Sequence, residues 1–412
     1  MIRDHIIIGV GSNWAAHPTS KHHVMRLLAE NNHVIWINYH ASRRPRINWT
    51  DFKVVLQRLR QSASGNRRSE PNIDVLSPLL LPFPESPISR FLNSRQLLRH
   101  INSALKKLPA LPIQLWLFTP DVPELIDQLK PEQVVYYCVD DFAAFKHFNV
   151  NLISGLEART CRRADHVLAT SEKLFEKCRR LTPRTHLIMH GVDYEHFAAT
   201  ASVSVERTPP DIREIPKPVL GYFGLISDYV DVDLIADAAR RRPDWSFVLI
   251  GSHRCNISML AELGNVHLLG PKSYEELPRY CRAFDVGLIP FRMNRLTRAV
   301  NPIKLREYLA AGLPVVSAPM PEVLRYAPAV LTAATSAEFL AACEKALTPF
   351  QAGGANSRRK LVRDESWRAR IEQISRIMCA PLGTPGDVER TVLSAAADSR
   401  ERAPHAHNRG RQ

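Results

Sequence analysis

Two α/β domains, each built on a parallel sheet, are what this sequence predicts, and three observations lead there. Short apolar runs of strand length, closed by Gly, Asn or Asp, alternate with stretches of helical periodicity. The alternation occurs twice, on either side of a polar, proline-bearing stretch at residues 201–217. The chain's 412 residues are enough for two domains of ordinary size. The division expected is a first domain over 1–200, a linker over 201–217, a second domain over 218–363 and a closing helix over 364–381. Residues 382–412, rich in Ala, Arg, Gly and His with no periodic apolar face, are expected to be a disordered tail.

In the first domain, residues 5–10 form an apolar strand, Gly9-Val-Gly11-Ser-Asn-Trp14 turns the chain, a helix covers 20–30, and 33–38 is the next strand. Gly9-x-Gly11 invites a dinucleotide reading. Trp14 stands at the third glycine position, however, and the second strand ends in Asn38-Tyr39 rather than an acid, so the NAD fingerprint is not met. The loop over 12–20 is expected on the acceptor side of a cleft, with His17 and the nearby Lys21 as candidates there, against the commoner reading of a lone polar loop residue as simply solvated. Residues 43–107 are basic and irregular, with an exposed loop at 61–69. Within them Phe91, Leu98, Ile101, Leu105 and Leu108 fall at helical spacing, with Arg90, Arg95, Arg99, Lys106 and Lys107 between. Such a basic amphipathic helix can pack on its own sheet or lie on an anionic membrane surface.

Strands follow at 115–118 and 134–139, the latter running into Asp140-Asp141 at its carboxyl end, where parallel sheets place their ligands. Successive strand residues point oppositely, so one acid faces inward. An aspartate there can take a proton from a bound hydroxyl as a general base, while its neighbour caps the helical turn near 142–145. Asp140, directly after the apolar run, is the expected base and Asp141 the expected cap. A helix through 156–161, a strand at 166–169, a helix from Ser171 and a strand at 186–189 complete the domain.

The second domain repeats the pattern: strand 219–223, turn from Gly224, helix 232–241, strand 247–250 ending in Gly251, strand 266–269, helix 273–282, strand 285–290 and a last strand at 329–332. Gly224 and Gly251 close their strands with residues that let backbone approach a ligand. The most informative stretch is residues 300–317, a helix with both ends marked, then a strand. Asn301 is a good N-cap, Pro302 suits the first helical position, and Gly312 suits a left-handed closing residue. Lys304 has the wrong sign for a first helical turn, at a cost on the order of 0.3–1 kcal/mol, unless an anion binds there. Glu307, three residues on, shares its face and can accept hydrogen bonds from a ribose diol. The alternative is a solvated i,i+3 ion pair.

Asn301-Pro302-x-Lys304-x-x-Glu307-Tyr308-Leu309-Ala310-Ala311-Gly312-x-Pro314-Val315-Val316 resembles the sugar-nucleotide site of bacterial GT-B glycosyltransferases, and most closely of those that build teichuronic acid and other surface polysaccharides. His190-Gly-Val-Asp193-x-x-x-Phe197 resembles the Asn-Gly-Val-Asp-x-x-x-Phe that ends the first domain of this class. The resemblance implies the GT-B fold, two Rossmann-like parallel-sheet domains with a cleft between them. It implies a nucleotide-sugar donor held by Gly224, Gly251, Asn301, Lys304 and Glu307, with Glu307 on the ribose and basic groups on the pyrophosphate. The acceptor would be a lipid-linked or other surface-polysaccharide precursor. Two departures stand out. The second acid that many retaining members carry eight residues before this glutamate is Ala299 here, and residues 225–231 hold no Lys or Arg, so Lys304, helped by Arg292, Arg295 or Arg298, must supply the phosphate charge. A sugar-nucleotide epimerase, or a non-catalytic nucleotide-binding partner in polysaccharide assembly, are the rival readings of the same fold.

Composition bounds the rest. A 45% hydrophobic, 23% charged chain is that of a soluble protein with substantial cores, and no apolar run reaches membrane-span length. The N-terminus lacks a signal-peptide pattern, so a cytoplasmic protein is expected. Seven cysteines without a C-x-x-C pair suggest neither a disulfide framework nor a zinc site, and neither metal nor cofactor is expected. A net charge of +14 implies an acidic partner. No nucleic-acid-binding motif is present, so the inner membrane face, where a lipid-pyrophosphate acceptor would lie, is the partner expected rather than nucleic acid.

Overall fold

The computed structural model describes residues 1–39, 67–146, 148–202, 207–348 and 354–379. The first domain holds β1 (Ile6–Gly11), β2 (His33–Asn38), β3 (Arg67–Glu70), β4 (Ile73–Leu76), β5 (Ile113–Leu117), β6 (Gln133–Cys138), β7 (His166–Ala169) and β8 (Thr185–Leu187). They form one sheet in the order β3-β4-β2-β1-β5-β6-β7-β8, parallel except for the antiparallel edge strand β3. The second domain holds β9 (Val219–Phe223), β10 (Ser246–Ile250), β11 (Val266–Gly270), β12 (Val286–Ile289), β13 (Val315–Ser317) and β14 (Val330–Thr332), all parallel, in the order β11-β10-β9-β12-β13-β14. The helices that bear on the site are α1 (Ser20–Ala29), α2 (Pro87–Leu105), α3 (Val150–Arg163), α4 (Glu172–Arg179), α5 (Ile303–Ala311), α6 (Gly354–Val362) and α7 (Trp367–Cys379).

The central strands are buried on both faces, as β1 and β9 show along their whole length, which is why they read as unbroken apolar runs. In each sheet the strand order reverses beside the first strand, between β1 and β5 and between β9 and β12. Open parallel sheets bind ligands at such points, outside the carboxyl ends of the strands. The loops after β1 and β9 are therefore the places to look. The glycines of β1 have a packing role: a Cβ on Gly9 or Gly11 would drive into the Trp36 indole, at 2.9 Å from Cζ3 and 2.8 Å from Cη2 respectively.

The sheets meet carboxyl edge to carboxyl edge. The Asn301 amide donates to the Thr170 carbonyl at 2.7 Å, Ser171 Oγ donates to the Ala299 carbonyl at 2.7 Å, and the Glu172 N–H donates to Glu322 Oε1 at 2.8 Å. The chain then returns. Backbone bonds join Val192 to Glu365 and Trp367, and α7 lays Trp367, Ile371, Ile374 and Met378 into the first domain's core beside Ile2, Val24 and Trp36.

Several expectations change. Residues 67–76, read as loop or irregular, carry β3 and β4. Helix α5 starts at Ile303 with Pro302 as its N-cap and no side-chain cap; Asn301 does not cap it, because both ends of its amide are engaged elsewhere. Gly312 does close the helix, at φ 85°. Helix α2 buries Leu97 and Ile101 and leaves Phe91 exposed, a rotation of the expected apolar face. Most of the 61–69 loop and the tail from 382 lie outside the described residues.

Candidate active site

Lysines at the second position of two helices mark the two walls of the cleft. In the second domain Lys304 packs against the loop after β9: its ammonium lies 5.5 Å from the centre of the Tyr222 ring. Gly224, at φ 131°, leaves the room it occupies, since a Cβ there would collide with Lys304 Cε. Gly251, at φ 148°, touches the same place from β10; a Cβ on it would strike the Gly224 carbonyl oxygen. Both conformations suit glycine. Burial pulls the Lys304 pKa down and pushes that of Glu307 up, each opposed by the other's charge. Among the described residues neither side chain makes a hydrogen bond or salt bridge. Gly224, Gly251, Lys304 and Glu307 thus converge, and the i,i+3 ion pair is not formed.

Asn301 does not join them through its side chain. Its Oδ1 accepts from Arg306 Nη1 at 2.6 Å while its amide nitrogen serves Thr170. Arg306 is fully buried, pairs with Glu365 Oε2 at 2.5 Å, and shares that carboxylate with the Tyr326 hydroxyl at 2.7 Å. This knot fixes α5 to the chain entering α7. His190, at the former asparagine position, is held neutral nearby, its pKa lowered to about 3 by burial and by Arg306 and Arg370.

On the facing wall the two aspartates separate. Asp141 is buried and bound twice: Lys177 Nζ lies 2.8 Å from Oδ1 and Arg295 Nε, from the second domain, 2.9 Å from Oδ2. Burial disfavours its charge, but these two cations outweigh it and hold the carboxyl below its ordinary range. It makes no side-chain cap to the following turn, so the expected capping role gives way to an ion pair across the cleft. Asp140 has no hydrogen bond to its carboxylate among the described residues. Burial pushes its pKa up to about 7, with Lys21 opposing and Asp141 adding to the rise. Its charge also helps raise the Tyr229 hydroxyl, next to the β9 loop, to about 12, behind burial as the main cause.

Lys21, whose commoner reading from sequence is a solvated residue, is buried at the start of α1, donates to Ser12 Oγ, and has its pKa lowered to about 8 by burial while Asp140 holds it up. The signal was available: α1, like α5, has a lysine and no acid in its first turn. Tyr274 was missed altogether. Its ring stacks on His196 at 4.9 Å and meets His23 and His17 at 5.4 and 5.8 Å, and its buried hydroxyl has no hydrogen-bond partner among the described residues. Burial, then Glu307 and Asp193, raise its pKa. His17 belongs here too, its pKa lowered by burial and then by Lys304 across the cleft.

One trio among the described residues has metal-ligand chemistry, Cys138, Glu157 and Cys178. It lies behind Asp141, and Glu157 is already bound to Lys177 at 2.5 Å and to the Tyr136 hydroxyl at 3.0 Å. An ammonium fills the place a cation would take.

Residues 217–348 match the family of glycosyl transferases group 1. Over 287 residues, 63% of this chain and 70% of the relative, the sequence is 32% identical to TuaH of Bacillus subtilis (strain 168), a protein assigned to teichuronic acid biosynthesis as a glycosyltransferase. The chain belongs to the group 1 glycosyltransferases. Its fold is GT-B. The structure is similar to Anabaena HepE in complex with UDP and glucose (TM-score 0.63, 14% identity, 91% of this chain and 99% of that one). It is also similar to sucrose-phosphate synthase from Thermosynechococcus elongatus (TM-score 0.66, 15% identity, 91% and 98%).

The departures from the motif have structural counterparts in this glycosyltransferase. At position 299, where an acid is common, the alanine's carbonyl accepts from Ser171 and helps hold the domains together. Of the arginines considered for the phosphates, Arg292 pairs with Asp231 and Asp233 and Arg295 with Asp141. Arg298 is exposed on the turn before α5 and its side chain pairs with none of the described residues; Lys304 is the cation that packs at the convergence of the two glycine loops.

Proposed function

We propose that this glycosyltransferase moves a sugar from a nucleotide-sugar donor to a hydroxyl of a lipid-linked or surface-polysaccharide precursor, at the cytoplasmic face of the membrane and without a metal ion. One observation carries the reading: Asp140, a half-buried carboxyl with no hydrogen-bond partner among the described residues, acts electrostatically on Tyr229 of the β9 loop, the loop whose Gly224, with Gly251, packs around Lys304 one helical turn from Glu307. The similarity to TuaH supports the acceptor class, and the likeness to HepE, whose structure contains UDP and glucose, supports the donor.

In this reading Glu307 accepts from the ribose hydroxyls, and the diphosphate lies against Lys304 and the first turn of α5. Asp140 takes the proton of the acceptor hydroxyl as its oxygen bonds to the anomeric carbon. The bond from that carbon to the diphosphate oxygen breaks, and the leaving charge settles on Lys304 and the N–H groups behind it. A carboxyl with a pKa near 7 suits a base working at neutral pH.

The test is a thermal-shift panel of UDP-, GDP- and dTDP-sugars, followed by transfer assays with the donor that binds. Asp140→Asn should keep the donor's thermal shift and lose transfer. Conversion of the donor with no acceptor present would instead make the protein an epimerase, and a donor shift with no turnover of any kind would make it a binding partner.

A further inference from the structure

Helix α2 carries a surface that the transfer reaction does not use. Its buried side is Ser89, Asn93, Ser94, Leu97, Ile101 and Ala104. At about 100° per residue these lie on one face, and the opposite stripe runs Ile88, Phe91, Leu92, Arg95, Arg99 and Lys106. The first three are large, apolar and well exposed, at 72%, 51% and 46%. Phe83, in the turn leading into the helix, is exposed beside them in sequence at 48%. The remaining three are basic and exposed, and the Arg95 guanidinium lies over the Phe91 ring at 4.7 Å, joining the two halves. The helix contains no Asp or Glu. A solvated helix would mix signs and would not gather three large apolar side chains on its outer face.

We propose that this stripe is the protein's docking surface for an anionic lipid bilayer, with Ile88, Phe91 and Leu92 entering the acyl boundary and Arg95, Arg99 and Lys106 lying among the headgroups. The inference rests on the proposed lipid-linked acceptor for its purpose but not for its evidence. A helix apolar on one outer turn and cationic along the rest fits an interface where apolar burial and negative charge occur together. No described helix is long and apolar enough to cross a membrane, so the stripe binds the surface and does not span it.

The experiment is sedimentation of the full chain with vesicles of phosphatidylglycerol and phosphatidylcholine, against phosphatidylcholine alone. Wild type should be retained by the anionic vesicles and released by salt. Arg95→Gln, Arg99→Gln and Lys106→Gln together should lower the partition coefficient by about a hundredfold, at roughly fivefold per charge. Ile88→Ser, Phe91→Ser and Leu92→Ser together should lower it by more than about tenfold. Both variants should keep the wild-type thermal shift with nucleotide diphosphate, which separates loss of docking from loss of the transferase reading. As a second measurement, Phe91→Trp should be quenched by brominated lipid. Equal binding to neutral vesicles, wild-type retention of either triple variant, or an unquenched Trp would overturn the proposal. So would a dimer in solution that the serine variant breaks, which would make the stripe a contact between copies.

Discussion

Asp140→Asn is expected to leave a dead but more stable protein, and the sign of the stability change is what makes the prediction discriminating. In the folded chain the Asp140 carboxyl titrates near 7 against an ordinary 3.8. A raised folded pKa means that ionisation is disfavoured in the folded state, so wild-type stability falls as pH rises from about 4 to about 7 and is level above that. Three units correspond to at most about 4 kcal/mol. Because Asp140 keeps some contact with solvent and Lys21 loses a favourable charge when it goes, about 1–3 kcal/mol is the expected gain for the asparagine variant at pH 8. At pH 4 the gain should vanish. Turnover should fall by about 10²–10⁴, as for loss of a general base, and the wild-type kcat/KM should rise with pH through about 7. Urea denaturation at pH 4, 6 and 8 and a transfer assay over the same range measure both. A loss of stability at pH 8, a pH-independent gain, or near-normal turnover would refute the assignment of Asp140 as a strained base.

Asp141→Asn should do the opposite. Its charge is held by Lys177 and Arg295, so denaturation should show a loss of about 1–3 kcal/mol at pH 7, shrinking as pH falls below the ordinary carboxylate range. Lys304→Ala should weaken nucleoside-diphosphate binding far more than nucleoside binding, and Glu307→Ala should weaken both, as titration calorimetry would read; equal losses for Lys304→Ala would count against a phosphate contact. Gly224→Ala should fold but displace Lys304, giving the lysine variant's loss of diphosphate affinity with the ammonium still present. Arg306→Met takes the nearest cation from Glu365, leaving it the Tyr326 hydroxyl and the more distant Arg370, and takes the donor from Asn301 Oδ1; it should cost about 2–4 kcal/mol in chemical denaturation. Transfer should persist in EDTA.

Much of the fold was legible because its strands are short, buried and glycine-punctuated. β2, β7 and β9 begin and end where the apolar runs do, and the α5 helix ends at Gly312 as its φ of 85° requires. β3 and β4 were not legible, since each is only four residues long and three of the four residues of β3 are charged. In the site, the shared helix face of Lys304 and Glu307 could be read from their i,i+3 spacing, whereas bringing Gly224 and Gly251 beside them was implied by the resemblance to GT-B enzymes, because it depends on contacts far apart in sequence. Asn301 and Asp141 misled for a common reason. Both looked like caps to the residues next to them, and both are engaged by partners more than a hundred positions away in sequence, Thr170 and Arg295. Local preference for a polar side chain near a helix start says nothing of a distant competitor. Lys21 sits between these cases: its burial depends on Ser12 and Asp140, yet its wrong sign at a helix start was visible.

The return of α7 to the first domain bears on how such enzymes can be recombined. A chimera made by a single cut in the 203–206 region would graft a foreign second domain together with a foreign α7, and Trp367, Ile371 and Met378 would have to fit a core containing Ile2, Val24 and Trp36 that never shaped them. Val192, which hydrogen-bonds to residues 365 and 367, would face the same mismatch. The exchangeable cassette is therefore interrupted at both ends, from the linker to the stretch just before Glu365. An exchange of the second domain needs two junctions, with the last helix inherited from the parent that supplies the first domain.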